Sequence, residues 1–186
     1  MVCQKCIRPD FYLDGVISAA KFEEKSLLQR CIHTMKYDFV EALAEPLGKM
    51  LYQTMKRNFE KNSILCPVAL HPKRLRWRGF NQAEKLVFIL SEMAQKDGIA
   101  PHVICALERI TFRKPQMELK REERLKNMEN AFIVNAKMAA AIVANTGIVI
   151  LVDDIATTLA TLNASAKTLK ENNVKRVVGL VLARVY

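Results

Sequence analysis

The chain has 186 residues, 51% of them apolar, with a net charge of +10 and a pI of about 9.5. Those values support one domain with a real core and exclude a disordered chain. The basic excess favours partners that carry phosphate; the alternative is simply a basic surface, and charge alone does not choose between them.

The longest apolar stretch, Met138 to Val152, is interrupted by Asn145, Thr146 and Gly147. It falls short of the roughly 20 residues that a membrane span requires. No apolar signal region precedes the first charges. The expectation is a cytoplasmic protein without a membrane partner.

Cys3-Gln-Lys-Cys6 comes first along the chain and has the spacing of two zinc ligands. No second pair of this kind follows, so residues 1–12 read as a partial zinc-ribbon remnant. A complete Zn²⁺ site is not expected. Cys31, Cys66 and Cys105 lie in apolar settings and read as small core residues; a reducing cytoplasm keeps all five cysteines as thiols.

A strand is predicted near Val16-Ile17. Leu27 to Met35 reads as a helix with a stripe of Leu27, Leu28, Cys31, Ile32 and Met35. Asp38 is the expected N-cap of a second helix reaching about Asn58, with Pro46 a kink or break. Ile64 to Leu70 reads as a buried strand ended by His71-Pro72. A basic segment follows, Lys73 to Phe80, and Asn81 caps a helix that Asp97-Gly98 closes.

His102 to Ile110 reads as one strand, Arg113 to Asn130 as a charged loop with a surface helix, and Ala131 to Val134 as a short strand. Ile148 to Val152 is an apolar strand ending in Asp153-Asp154. Thr161 to Asn172 is a helix and Val174 to Leu182 the last strand. From residue 64 onward strands alternate with helices, which predicts an α/β fold with a mainly parallel twisted sheet flanked by helices. Ligands of such sheets bind beyond the carboxyl ends of the strands.

The segment Ile150 to Leu162 carries the chemistry. An apolar strand delivers two carboxylates, and a hydroxyl-rich turn then enters a helix N-terminus. Backbone N–H groups and the positive helix end suit a phosphate. Thr157, Thr158 and Thr161 add hydroxyl donors; Asp153 and Asp154 can accept from ribose hydroxyls or hold them through Mg²⁺. The plainer alternative is a strand end with two acids and a Thr-capped helix. A receiver domain also has an acidic pair after a strand, but near its start, whereas here only a short stretch follows.

This segment resembles the phosphoribosyl pyrophosphate (PRPP) motif of type I phosphoribosyltransferases, an acidic pair followed by Thr-Thr-Gly-x-Thr. Residues 13–186 are then a phosphoribosyltransferase-like domain. The resemblance implies ribose contacts for Asp153 and Asp154 and a 5-phosphate wrapped by Ala156, Thr157, Thr158, Leu159, Ala160 and Thr161. The family has glycine where this chain has Leu159. Glycine accepts unusual dihedrals and a close approach by phosphate, so the leucine implies weaker phosphate binding.

Two further strings resemble the ComF family. One is Pro67 to Glu84, with its His-Pro-x-Arg turn and Arg-Gly-Phe-Asn-Gln-Ala-Glu. The other is Gln116, Leu119, Arg124, Asn127, Ala131 and Phe132 at fixed offsets, where the expected Thr and first Pro are replaced by Arg113-Lys114. Lys73, Arg74 and Arg78, with Arg76, are implied to face pyrophosphate; the alternative is a solvated basic loop with Trp77 under the arginine stems. The second string is implied to be a mobile lid, or else a charged surface helix.

The resemblance implies a transferase that uses Mg²⁺–PRPP or a related nucleotide, with an irregular phosphate loop. It also implies a link to competence and DNA uptake. The alternative function is a non-catalytic accessory module, binding single-stranded DNA or a DNA-uptake helicase through its basic face.

Overall fold

The computed structural model describes residues 10–59, 63–111, 130–144 and 147–185. The cysteine pair Cys3 and Cys6, and the Gln116, Leu119, Arg124 and Asn127 positions, lie outside the described residues.

Five strands form an all-parallel sheet: β1 (Gly15–Lys21), β2 (Ile64–Pro67), β3 (His102–Val103), β6 (Val149–Ala156) and β7 (Val177–Arg184). Their order is β1-β7-β6-β2-β3, and a separate antiparallel pair joins β4 (Leu107–Arg109) to β5 (Phe132–Val134). The core strands are near-continuous apolar runs because helices cover both faces, so neither face needs polar residues. The chain is therefore an α/β protein with a parallel sheet between helical layers, consistent with the phosphoribosyltransferase-like fold.

On one face, α1 (Leu27–Tyr37), α2 (Ala44–Asn58) and α4 (Gln82–Lys96) bury Ile32, Leu51 and Leu90 against Ile150, Val152 and Leu180. On the other, α5 (Ala136–Ala144) and α6 (Ala160–Glu171) bury Ile142, Leu162 and Leu169 against Val149, Leu151 and Val177. A short helix, α3 (Pro72–Arg78), follows β2. Helices α2 and α4 meet at Gly48, where an added Cβ would lie 2.6 Å from Ile89 Cγ2. Only glycine permits that approach without displacing Ile89.

The segment before β1 is tied to α6 and β7. Asn163 Oδ1 accepts the Tyr12 N–H at 2.7 Å and its Nδ2 donates to the Asp10 carbonyl at 2.9 Å. The Asp14 carboxylate accepts the Val177 N–H at 2.7 Å and pairs with Lys170 at 2.9 Å.

Several local expectations are corrected. Leu27 is 68% exposed, so the buried part of the α1 stripe is Ile32 and Met35. Asp38 ends α1, its N–H donating to the Thr34 carbonyl, and does not start α2. The chain instead enters α2 through a 3₁₀ turn at Glu41–Leu43. Pro46 lies in the first turn of α2, where its missing N–H is not needed, and breaks nothing.

The basic segment is mostly helix, closed by Gly79 at φ 85°, a left-handed position that glycine supplies without strain. The predicted strand from His102 to Ile110 is divided, since β3 joins the main sheet while β4 leaves it to pair with β5. Helix α5 was not anticipated: its alanine-rich stretch merges with the apolar run of β6, which hides the helical period. Strand β6 runs through both acids to Ala156 rather than ending before them.

Candidate functional site

Helix N-termini leave unpaired N–H groups, which this chain mostly satisfies from its own side chains. Ser26 caps α1, accepting the Gln29 N–H at 3.1 Å. His71 Nδ1 caps α3, accepting the Lys73 N–H at 3.1 Å. Asn81 Oδ1 caps α4 from the Ala83 N–H at 3.1 Å, and Asn135 Oδ1 serves α5 from the Lys137 N–H at 2.9 Å.

At α6 the N-cap position is Leu159, which has no side-chain acceptor to offer. The first helical bond inside α6 runs from the Asn163 N–H to the Leu159 carbonyl at 2.8 Å. Among the described residues, local help is a long contact of 3.4 Å from the Ala160 N–H to Thr158 Oγ1. The mouth of α6 therefore presents backbone donors beside three threonines, of which Thr157 is exposed and Thr158 and Thr161 half-buried.

Leu159 sits at φ 63°, ψ 3°, the left-handed conformation in which a β-carbon costs about 1 kcal/mol. Its side chain is 8% exposed and lies within the apolar cluster of Leu13, Ala156, Leu162 and Ala166. Burial offsets the backbone strain, so the turn that glycine would make is made here by leucine. Ala156 and Ala160 on either side are also buried.

The two acids are held differently. Asp154 is 5% exposed; its Oδ1 accepts from Lys36 Nζ of α1 at 2.6 Å and from the Ile155 N–H at 2.6 Å. Asp153 is half-buried, and its Oδ1 accepts the Asp154 N–H at 2.9 Å. The β2 ladder on that side of β6 ends at the bond from the Val68 N–H to the Val152 carbonyl. Burial, and then the neighbouring Asp154 charge, push the Asp153 carboxyl up to about 7; Lys36 and Arg109 act in the opposite direction.

Basic side chains from three elements surround the pair. Arg78, at the end of α3, is buried, and its Nη1 donates to Gln82 Oε1 at 2.6 Å. Burial pulls the Arg78 pKa down, while the Asp154 charge opposes that. Arg109 of β4 is half-buried over the Phe132 ring at 5.4 Å; burial and Arg74 lower its pKa and Asp153 opposes them. Arg74 is half-buried and Lys73 exposed. Burial, and then the charges of Arg109, Lys73, Arg76 and Arg74, lower the His71 pKa, in the direction that favours its accepting a hydrogen bond from the Lys73 N–H.

The structure thus gathers Asp153, Asp154, residues 156–161, Arg74 and Arg78 at the carboxyl edge of the sheet, with Lys73 outermost. Lys36 and Arg109 complete the cluster and were not identified from sequence. Neither carries a local signal: Lys36 is one basic residue in the last turn of α1, and Arg109 ends the short strand β4. No group of three or more His, Cys, Asp or Glu side chains suited to a metal occurs among the described residues. No helix among the described residues is long and apolar enough to cross a membrane.

No family model matches the chain. Competence protein F of Haemophilus influenzae is 26% identical over 187 residues, covering 98% of this chain and 78% of that protein. That similarity over nearly the whole chain supports a relationship to the ComF family.

Proposed function

We propose that this protein binds a ribose 5-phosphate bearing pyrophosphate, PRPP or a close relative with its Mg²⁺, and that it serves a competence-related role as competence protein F does. The carrying observation is the open mouth of α6. Leu159 keeps the left-handed turn of the phosphate loop with its side chain buried and offers no cap, and the side-chain contact to the backbone donors there is a long one of 3.4 Å from the Ala160 N–H to Thr158 Oγ1.

In this reading Thr157, Thr158 and Thr161 join those donors around the 5-phosphate. Asp153 accepts from the ribose hydroxyls. Asp154, tied to Lys36, positions the strand end rather than meeting the sugar. Lys73 and Arg74 neutralise the pyrophosphate from α3, with Arg78 behind them. Asp153 would hold a ligand-borne Mg²⁺ through the ribose hydroxyls, and that ion would supply neutralising charge to the phosphate oxygens. A transfer would break the bond from ribose C1 to pyrophosphate, the electron pair leaving with pyrophosphate, while the acceptor's lone pair forms the new bond. A cytoplasmic location goes with such a ligand.

Calorimetric titration with Mg²⁺–PRPP at millimolar concentration tests the reading. Binding heat and a raised melting temperature are expected, both lost in Asp153→Ala. Absence of both in the unaltered protein overturns the assignment.

A further inference from the structure

Residues 10–14, just before β1, lie along one face of α6. Asn163 Nδ2 donates to the Asp10 carbonyl at 2.9 Å, and its Oδ1 accepts the Tyr12 N–H at 2.7 Å. Lys167 Nζ stands 5.8 Å from the Tyr12 ring centroid, and Lys170 Nζ donates to Asp14 Oδ1 at 2.9 Å. Positions 163, 167 and 170 have the spacing of a single helical stripe. The segment is thus fastened to α6 from its first turn to its last, and Asp14 fastens it again to β7 through the Val177 N–H.

Asn163 joins this segment to the turn at the helix mouth. Its backbone N–H donates to the Leu159 carbonyl at 2.8 Å, the first bond of α6, while its side chain is spent on residues 10 and 12. Asparagine is a poor residue for a helix interior, because its amide competes with the helix for backbone partners. Here both ends of that amide are engaged outside the helix. Leu159 also needs cover, since burial is what offsets its left-handed backbone; Leu13, itself buried, belongs to the same apolar cluster. A glycine turn would need no such cover. The first turn of α6 holds no acid, so a neutral amide does the fastening and leaves the positive helix end uncompensated.

We propose that residues 10–14 are a strap that sets the conformation of the α6 mouth, with Asn163 as its positioning residue and Leu13 in the cluster that buries Leu159. The turn made by leucine depends on the segment before β1, and release of that segment loosens it. The strap is built from residues other than those that the ribose-phosphate reading gives to a ligand. Its effect on ligand affinity rests on that reading; its effect on the order of the mouth does not.

Hydrogen exchange of the full chain without ligand tests the strap. In Leu13→Ala, which leaves α6 unaltered in sequence, the Ala164 amide in the first turns of α6 is expected to exchange about tenfold faster relative to the Leu169 amide near its end. Asn163→Ala, which removes no core side chain, should shift the same ratio in the same direction. A ratio unchanged in both variants overturns the proposal, because only general stability was then lost. A second arm measures Mg²⁺–PRPP affinity. Asn163→Ala should weaken it about tenfold, while Asn172→Ala, which removes a bond to the Thr168 carbonyl at the other end of the same helix, leaves it unchanged. Equal affinities in these two variants also overturn the strap. If the unaltered protein does not bind Mg²⁺–PRPP, the ligand reading falls and the exchange ratio alone decides the strap.

Discussion

Two helix mouths open on the carboxyl edge of this sheet, and they are finished in opposite ways. At α4, Asn81 is buried and spends both ends of its amide: Oδ1 accepts from Ala83, and Nδ2 donates to the Val68 carbonyl and to Glu84, each at 3.1 Å. At α6, the corresponding position is a strained leucine without an acceptor. A mouth satisfied by protein groups is part of the scaffold. A mouth whose N-cap residue offers no acceptor, beside a carboxylate whose proton affinity is raised, is where the chain departs from its own habit. Such departures are expected at functional sites.

Changes that disturb the protein-satisfied groups should cost most. Lys36→Met leaves the Asp154 carboxylate buried without its ion-pair partner and is expected to destabilise the fold by about 3 kcal/mol, read by urea denaturation at neutral pH. A loss below ~0.5 kcal/mol would mean that Arg78 alone supports Asp154. Asn81→Ala removes the α4 cap and orphans the Val68 carbonyl, with an expected loss of about 2 kcal/mol in the same assay.

Leu159→Gly sets two effects against each other. Relief of the left-handed backbone returns about 1 kcal/mol, while the lost leucine burial costs ~2–3 kcal/mol. The net expectation is a loss of ~1–2 kcal/mol with the phosphate loop retained. A stabilised variant would show that the side chain contributes little where it lies.

The last effect concerns pH. The Asp153 carboxyl is raised above its unfolded value, so the folded state holds a proton that the unfolded chain has released. Stability therefore falls as pH rises from the ordinary carboxylate range, near 4, toward about 7, and this contribution is constant above it. Asp153→Asn should remove that slope, so that the variant melts higher than the unaltered protein at pH 8 while the two differ little at pH 4. The same slope appearing in the variant would assign it to another group.

Much of the scaffold was legible because local signals agreed with the tertiary outcome. The Asn81 cap, the Asp97-Gly98 stop and the apolar run Val149 to Val152 each announce their element without reference to anything distant. Legibility failed where two elements compete for one pattern. Asp38 offered a cap yet closes the preceding helix, because the 3₁₀ turn at Glu41–Leu43 intervenes. His102 to Ile110 carries one strand's worth of pattern, but pairing with two different sheets divides it. In the site, the acids and threonines are contiguous and could be read directly. Lys36 reaches Asp154 across 118 positions of sequence, and no local pattern encodes such a meeting.

The sequence by itself determined the alternation of strands and helices, the acid pair at the end of β6 and the threonine turn beyond it, since each depends on periodicity or adjacency alone. Tertiary structure decided which acid is tied to a lysine and which has its proton affinity raised by burial, and that Leu159 can hold a glycine's dihedrals. Both outcomes depend on burial and on charges brought in from α1, α3 and β4, and burial exists only once the layers have packed.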